Sequence, residues 1–167
     1  MTKNEARVLA LELRKNENTM LESEKTIKAI VESNILDAYD NIGIYYPIKN
    51  EINILKLLDI YPNKKFYLPI TSDEINFVRY EKDDILKDGM FNTKEPIGKI
   101  VDRNTIDCFI IPCVAITTDN KRIGYGKGYY DRYLQGYKGL KIGICYDNMK
   151  NVDVKADLFD VIVDYKF

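Results

Sequence analysis

Residues 122–134, RIGYGKGYYDRYL, gather the side chains of this chain best suited to act on a phosphate. Glycines 124, 126 and 128 clear one strip of backbone, so successive N–H groups can turn into a single concavity and hold an anion. Lys127 lies inside this loop and Arg122 at its entrance, where both can neutralise phosphate oxygens. A helical pattern over residues 129–137 begins where the glycines stop, and its N-terminus would add free amides to the same spot. A dinucleotide fingerprint is excluded, because Tyr129 stands where GxGxxG needs its last glycine. A P-loop is excluded too, because Lys127 is followed by Gly128 rather than serine or threonine. A glycine turn that only caps a helix uses the same residues, so cradle and plain turn both stand at this point.

The neighbouring residues carry the same two readings. Asp131, in the first turn of the expected helix, either compensates its dipole or holds Mg²⁺ beside phosphate oxygens. Tyr129, Tyr133 and Tyr137 recur on one helix face and read as packing, whereas Tyr125 and Tyr130 lie off that stripe and suit a pocket wall. Lys3, Arg7 and Arg14 fall within an arc of roughly 40° on the first helix, either as part of an anion site or as a solvated face. The chain has no histidine, which removes Ser-His-Asp and Cys-His catalysis and imidazole proton transfer. Cys108, Cys113 and Cys145 are odd in number and sit among apolar neighbours, so they read as buried small hydrophobes in a reducing compartment.

These residues need a scaffold, and 167 residues with 46% apolar side chains supply one domain, residues 1–167. Residues 3–36 lack proline and glycine and read as two helices separated near residues 16–19, with Thr19 and Glu22 as a capping box for the second. Beyond them, β-rich runs at residues 42–46, 65–68, 76–80, 107–111, 141–146 and 161–163 alternate with turns or helical stretches. Residues 51–58 place Ile54, Leu55 and Leu58 on a helical stripe, as a β-α-β crossover requires. The expected architecture is α/β: a three-layer, open, mostly parallel sheet with helices on both faces, preceded by the N-terminal helical segment. Residues 82–105 form a polar connection long enough to read as a substrate wall or lid. A formal charge of −1 argues against nucleic-acid binding. The charged N-terminus lacks a signal-peptide pattern, and the longest apolar run, residues 108–116, is too short to span a membrane. A cytoplasmic monomer is expected.

Residues 122–134 resemble the signature R-(L/I)-G-x-G-x-G-Y-Y-D-x-(Y/F)-L of the 5-formyltetrahydrofolate cyclo-ligase family. Lys3 and Arg7, Tyr46 and Glu51, Leu68-Pro69, the segment Gly89, Phe91 and Glu95-Pro96, and Asp157, Asp160 and Asp164 are similar to further family segments in the same order. Departures are Cys113, Asn92 and Asp157, and Phe159 in place of a histidine. The resemblance implies an ATP- and Mg²⁺-dependent conversion of 5-formyltetrahydrofolate to 5,10-methenyltetrahydrofolate, through a phosphorylated formyl group. It implies that Lys3, Arg7, Arg122 and Lys127 hold ATP with Gly124, Gly126, Gly128, Tyr129 and Tyr130, Arg122 and Lys127 acting in the chemistry. It also implies that Tyr46, Glu51, Tyr125 and Tyr130 line a folate pocket and that Asp131 and Asp160 hold Mg²⁺. Two other readings use the same cradle. A nucleotide- or sugar-phosphate-binding regulatory protein would bind without turnover, and a sugar-phosphate isomerase or thioester-handling enzyme would leave Asp131 and Asp160 without a role.

Overall fold

Thr2 opens the first helix, α1 (Lys3–Arg14), through a reciprocal cap: its hydroxyl accepts the Glu5 N–H at 3.1 Å, and Glu5 accepts the Thr2 N–H at 2.7 Å. Ala6, Ala10 and Arg14 recur at every fourth residue and form its buried face. The computed structural model describes residues 1–167. In α2 (Thr19–Ser33) the cap is Asn18, whose side chain accepts the Leu21 N–H at 3.1 Å, and the expected Thr19–Glu22 box is not formed. Asparagine caps at least as well as threonine. Thr19 becomes the first helical residue, its hydroxyl 3.0 Å from that of Tyr146.

The elements that follow are β1 (Asn41–Gly43), α3 (Leu57–Ile60), β2 (Lys65–Thr71), β3 (Ile75–Tyr80), β4 (Leu86–Asp88) and β5 (Lys94–Pro96). Then come β6 (Cys108–Pro112), β7 (Ala115–Ile116), β8 (Arg122–Ile123), α4 (Tyr129–Tyr133), β9 (Leu140–Ile144) and β10 (Tyr165–Lys166). The main sheet has the order β10-β9-β6-β1-β2-β3, parallel throughout except for β3, which folds back on β2 as a hairpin. β4 with β5 and β7 with β8 form two small antiparallel ribbons. Side-chain alternation sorts the central strands cleanly. Ile42, Cys108, Ile110 and Ile142 enter one core with Ile27 and Ile30 of α2 and Leu57 of α3. Tyr67, Phe109 and Ile111 enter the other with Ala6 and Ala10 of α1 and Tyr130 of α4. Helices therefore cover both faces, and the sheet is the mixed, mostly parallel one expected. None is long and apolar enough to cross a membrane.

Three expected elements are corrected. Of residues 51–58 only Leu57 and Leu58 are helical, in the single turn of α3, because Glu51 accepts the Ile48 N–H at 2.8 Å and the Ile52 carbonyl accepts the Tyr45 hydroxyl at 2.6 Å, bonds that hold the preceding backbone off a helix. Residues 161–163 are not a strand of the main sheet. The Val161 carbonyl accepts the Arg122 N–H at 2.7 Å and the Val163 N–H donates to Asn120 at 2.9 Å, so this backbone is spent on the β7–β8 ribbon and its turn. The helix expected over residues 129–137 ends at Tyr133, and Gly136, at φ +75°, turns the chain away. All three cysteines are buried and unpaired, as expected, and burial pushes their thiols up, Cys113 to about 11 against the pull of the Arg122 charge.

Close packing at the sheet centre leaves Gly43 no room for a side chain. A Cβ there would lie 2.5 Å from the Phe109 ring, which is itself enclosed by Phe77 at 4.9 Å, Tyr137 at 5.0 Å and Tyr133 at 5.6 Å between centroids. Gly43→Ala is expected to destabilise the fold by about 1–3 kcal/mol through overpacking. Thermal unfolding followed by circular dichroism should show Tm falling by roughly 2–12 °C, and an unchanged Tm would mean that the ring can move aside.

Candidate active site

The chain leaves β1 for β2 on one side and later returns to lay β6 on the other, so the strand order reverses between β1 and β6. Loops leaving the carboxyl ends of such strands diverge and open a crevice. Here Tyr45 and Tyr46 after β1, Pro69 and Thr71 at the end of β2 and Pro112 at the end of β6 wall a cavity of about 430 Å³. The same cavity is lined by Lys3, Arg7, Glu51, Arg122, Gly124, Tyr125, Gly126, Lys127, Gly128, Tyr129, Tyr130, Asp131 and Asp160. Every site residue expected from the sequence thus reaches one place.

One end of the cavity is cationic and built around the glycine loop. Arg122 is buried, its Nε donates to the Pro112 carbonyl at 2.7 Å, and its guanidinium lies 4.6 Å from the Tyr130 ring centroid. Gly124 is where the loop passes over that guanidinium: a Cβ would come 2.5 Å from Nη1. Gly126 and Gly128 serve a different need, lying at φ +105° and +71°, where side chains are strained. Arg7 reaches across from α1, its Nε donating to the Gly124 carbonyl at 2.7 Å. Lys127 is exposed, its Nζ 5.8 Å from the Phe91 ring, and it pairs with no carboxylate. α4 has only five residues, so the amides here are largely the loop's own.

Acidic groups border this end. Lys3 Nζ bridges Asp157 at 2.6 Å and Asp160 at 2.5 Å. Burial pulls its ammonium pKa down, but the two carboxylates outweigh this and hold it above the usual lysine value. Asp131 accepts the Val161 N–H at 3.0 Å through Oδ1.

Aromatic side chains and a buried carboxylate, Glu51, complete the lining. Glu51 is 5% exposed; Oε1 accepts the Ile48 N–H at 2.8 Å and Oε2 accepts the Tyr125 hydroxyl at 3.3 Å. Burial raises its pKa, opposed by the Ile48 hydrogen bond and the charges of Arg14 and Arg122. Burial likewise pushes the Tyr125 hydroxyl up to about 12.

Several placements differ from the sequence reading. Tyr133 and Tyr137 pack in or against the core, and Tyr129 of the same stripe, also packed against it, lines the cavity as well and donates to the Ser72 carbonyl at 2.8 Å. The basic stripe of α1 is no solvated face: Lys3 and Arg7 line the cavity, and Arg14 lies buried beneath it. Residues 82–105 are a wall, contributing Met90, Phe91, Thr93 and Glu95. Glu95 was not among the expected site residues. It is buried and accepts the Thr71 N–H at 2.8 Å and hydroxyl at 3.1 Å, and only the Glu95-Pro96 resemblance pointed to it.

An anion cradle beside an aromatic cleft, at the switch point of an open α/β sheet, is the build of a phosphate-handling enzyme with a second, largely apolar substrate. A sequence model of the 5-formyltetrahydrofolate cyclo-ligase family matches residues 3–164. A 5-formyltetrahydrofolate cyclo-ligase of Mycoplasma pneumoniae is 41% identical over 74% of this chain and 69% of that protein. One of Haemophilus influenzae is 29% identical over 74% of this chain and 75% of that protein. Among solved structures, the NMR structure of Aquifex aeolicus 5,10-methenyltetrahydrofolate synthetase superposes with a TM-score of 0.86 at 31% identity, covering 99% of this chain and 89% of that one. A 5,10-methenyltetrahydrofolate synthetase from Mycoplasma pneumoniae gives 0.78 at 32% identity, covering 99% and 98%. The chain belongs to the 5-formyltetrahydrofolate cyclo-ligase family. Its activity is that of a 5-formyltetrahydrofolate cyclo-ligase, and membership implies the use of ATP and of a folate substrate.

The contact between Gly124 and Arg122 gives a test of the loop. In Gly124→Ala the methyl group can be accommodated only by moving the guanidinium, the far end of a flexible side chain, so Tm should fall by less than ~4 °C, about 1 kcal/mol for a chain of this size. Turnover should fall by about tenfold or more as the cation leaves its place. Native turnover would show that the placement of Arg122 is not critical.

Proposed function

We propose that ATP lies along the glycine rim and 5-formyltetrahydrofolate in the aromatic half, so that the γ-phosphate meets the formyl oxygen inside one cavity. The observation that carries this reading is that a single cavity is lined both by the cations Arg7, Arg122 and Lys127 and by Tyr46, Tyr125 and the buried Glu51. A formyl oxygen is a poor leaving group. Its attack on the γ-phosphorus breaks the bond to ADP and leaves the carbon bearing phosphate. Nitrogen 10 of the same folate then attacks that carbon, phosphate departs with the C–O electron pair, and nitrogen 10 gives up its proton. Both attacks take place between groups already held together, so positioning and charge stabilisation are the protein's main contributions. Arg122 and Lys127 neutralise the transferring phosphoryl group, while Lys3, Arg7 and the loop amides of Gly124, Gly126 and Gly128 hold the remaining phosphates. Tyr129 and Tyr130 flank them. An ionised carboxylate is an acceptor only, so Glu51 selects the N–H donors of the pterin edge, with Tyr46, Tyr125 and Tyr130 around the ring.

Asp131 and Asp160 would hold Mg²⁺, which when bound supplies countercharge to the phosphates. The donor set fits: Asp131 Oδ2 accepts no hydrogen bond, the bonds of Asp160 to Lys3 and the Asp157 N–H use Oδ2 and leave Oδ1, and both carboxylates line the cavity. One cavity is lined by residues from Lys3 to Asp160, which supports a single domain over residues 1–167. The three unpaired, buried thiols support a cytoplasmic setting.

Purified protein given ATP, Mg²⁺ and 5-formyltetrahydrofolate should release ADP and form the methenyl product in equal amounts, and omitting any one component should stop both. Lys127→Ala is expected to keep Tm and lower kcat by about 10²–10³, as for loss of one preorganised donor; near-native kcat would make Lys127 ordinary surface charge. For the metal, Asp131→Asn should raise the Mg²⁺ concentration needed for half-maximal rate by roughly tenfold or more. An unchanged Mg²⁺ dependence together with a lower Tm would assign Asp131 to anchoring the Val161 N–H alone.

A further inference from the structure

Arg14 lies one layer beneath the cavity and lines none of it. It is 5% exposed, at the end of the Ala6–Ala10 stripe of α1. Its Nη1 donates to the Tyr125 hydroxyl at 2.8 Å and its Nη2 to the Cys113 carbonyl at 3.1 Å, while its buried Nε has no acceptor. The guanidinium carbon stands 5.9 Å from the Tyr125 ring centroid and 5.8 Å from that of Tyr146. A buried guanidinium with an unpartnered nitrogen costs stability that an apolar side chain of similar length would not. Packing therefore does not account for the charge.

What the charge reaches does account for it. A guanidinium only donates, so with Arg14 donating to the Tyr125 oxygen, the single hydroxyl hydrogen of Tyr125 is directed to the Glu51 carboxylate at 3.3 Å. We propose that Arg14 is a positioning residue for the folate site: through Tyr125 it fixes the orientation of the Glu51 carboxylate and sets a positive charge behind it. This inference rests on the reading of Glu51 as the acceptor for the pterin edge. The groups facing Glu51 are Arg14 of α1, Tyr45 after β1, Cys113 after β6, Arg122 of β8, Tyr125 of the glycine loop and Tyr130 of α4. Among them the two arginines carry positive charge, and the exposed Lys49 places its Nζ 4.9 Å from the Tyr125 ring centroid. Arg122 is committed to Pro112 and the phosphate end, which leaves Arg14 as the buried cation dedicated to Glu51.

The test compares Arg14→Met, Arg14→Lys, Tyr125→Phe, the Arg14→Met/Tyr125→Phe double variant and Glu51→Gln by steady-state kinetics over a range of pH. In Arg14→Met and Tyr125→Phe, KM for 5-formyltetrahydrofolate should rise about tenfold or more, with KM for ATP within about twofold of native. In Arg14→Met the acid limb of kcat/KM for the folate should move to higher pH, since loss of the cation makes Glu51 harder to ionise, and Arg14→Lys should move it back toward native. The double variant should be no more than about twofold worse than the weaker single variant, because both cut one relay. Additive losses, or equal losses for ATP and folate, overturn the inference. If Arg14→Met does not fold, Tyr125→Phe decides alone, and its native folate KM overturns it. Native folate KM in Glu51→Gln overturns the reading of Glu51 and this inference with it; a raised KM there beside native values in the other variants overturns this inference only.

Discussion

The structure turns on the burial of Arg122. A guanidinium withdrawn from water must be hydrogen-bonded or stacked, and here the Pro112 carbonyl at the end of β6 and the Tyr130 face at the start of α4 meet that demand. The loop between β8 and α4 then has to pass directly over the charge, and a side chain at position 124 would have to push the guanidinium aside. One buried cation thereby joins the carboxyl edge of the sheet, the glycine loop and the short helix into a single wall.

The remaining charges follow from that wall. Arg7 steadies the loop from α1 through the Gly124 carbonyl, and Lys3 from the first turn of the same helix binds the acidic segment at Asp157 and Asp160. α1 thus braces the glycine loop and the acidic segment with one part of its surface while its small residues Ala6 and Ala10 let it lie close on the core. Elsewhere in the cavity Glu51 is buried and hydrogen-bonded to the Ile48 N–H and the Tyr125 hydroxyl. A reaction whose two attacks occur between groups already positioned needs this kind of rigid, charge-lined cleft more than it needs a proton shuttle. The absence of histidine from the sequence is consistent with such chemistry.

The wall contributed by residues 82–105 shows a different economy. Phe91 and Asn92 both lie at φ +59°, and Asn92 stands where the resembling family segment has glycine. Asparagine tolerates this region better than most side chains, so the turn that presents Met90 and Phe91 to the cavity survives the substitution.

Read alone, the sequence determined whatever depends on neighbours within a few positions. Period-two strands, proline-free helices at the N-terminus, and glycines spaced to expose backbone amides are local patterns, and the folded chain keeps all three. Local patterns misplaced the ends of elements wherever a distant group claimed the backbone. Val161 and Val163 have strand chemistry but bond to the β7–β8 ribbon and its turn, and residues 51–58 have a helical stripe but are held off a helix up to Leu57 by bonds at Ile48 and Ile52. Tyr129 and Arg14 sit on stripes whose periodicity says which face they share, but not whether that face meets core, solvent or cavity. Tertiary structure decided this, because the contacts that assign those faces span the chain: Arg7 meets Gly124 across 117 positions and Arg14 meets Tyr125 across 111. A one-dimensional pattern fixes the rotation of a side chain about its own element; only the packing of elements sets what stands opposite it.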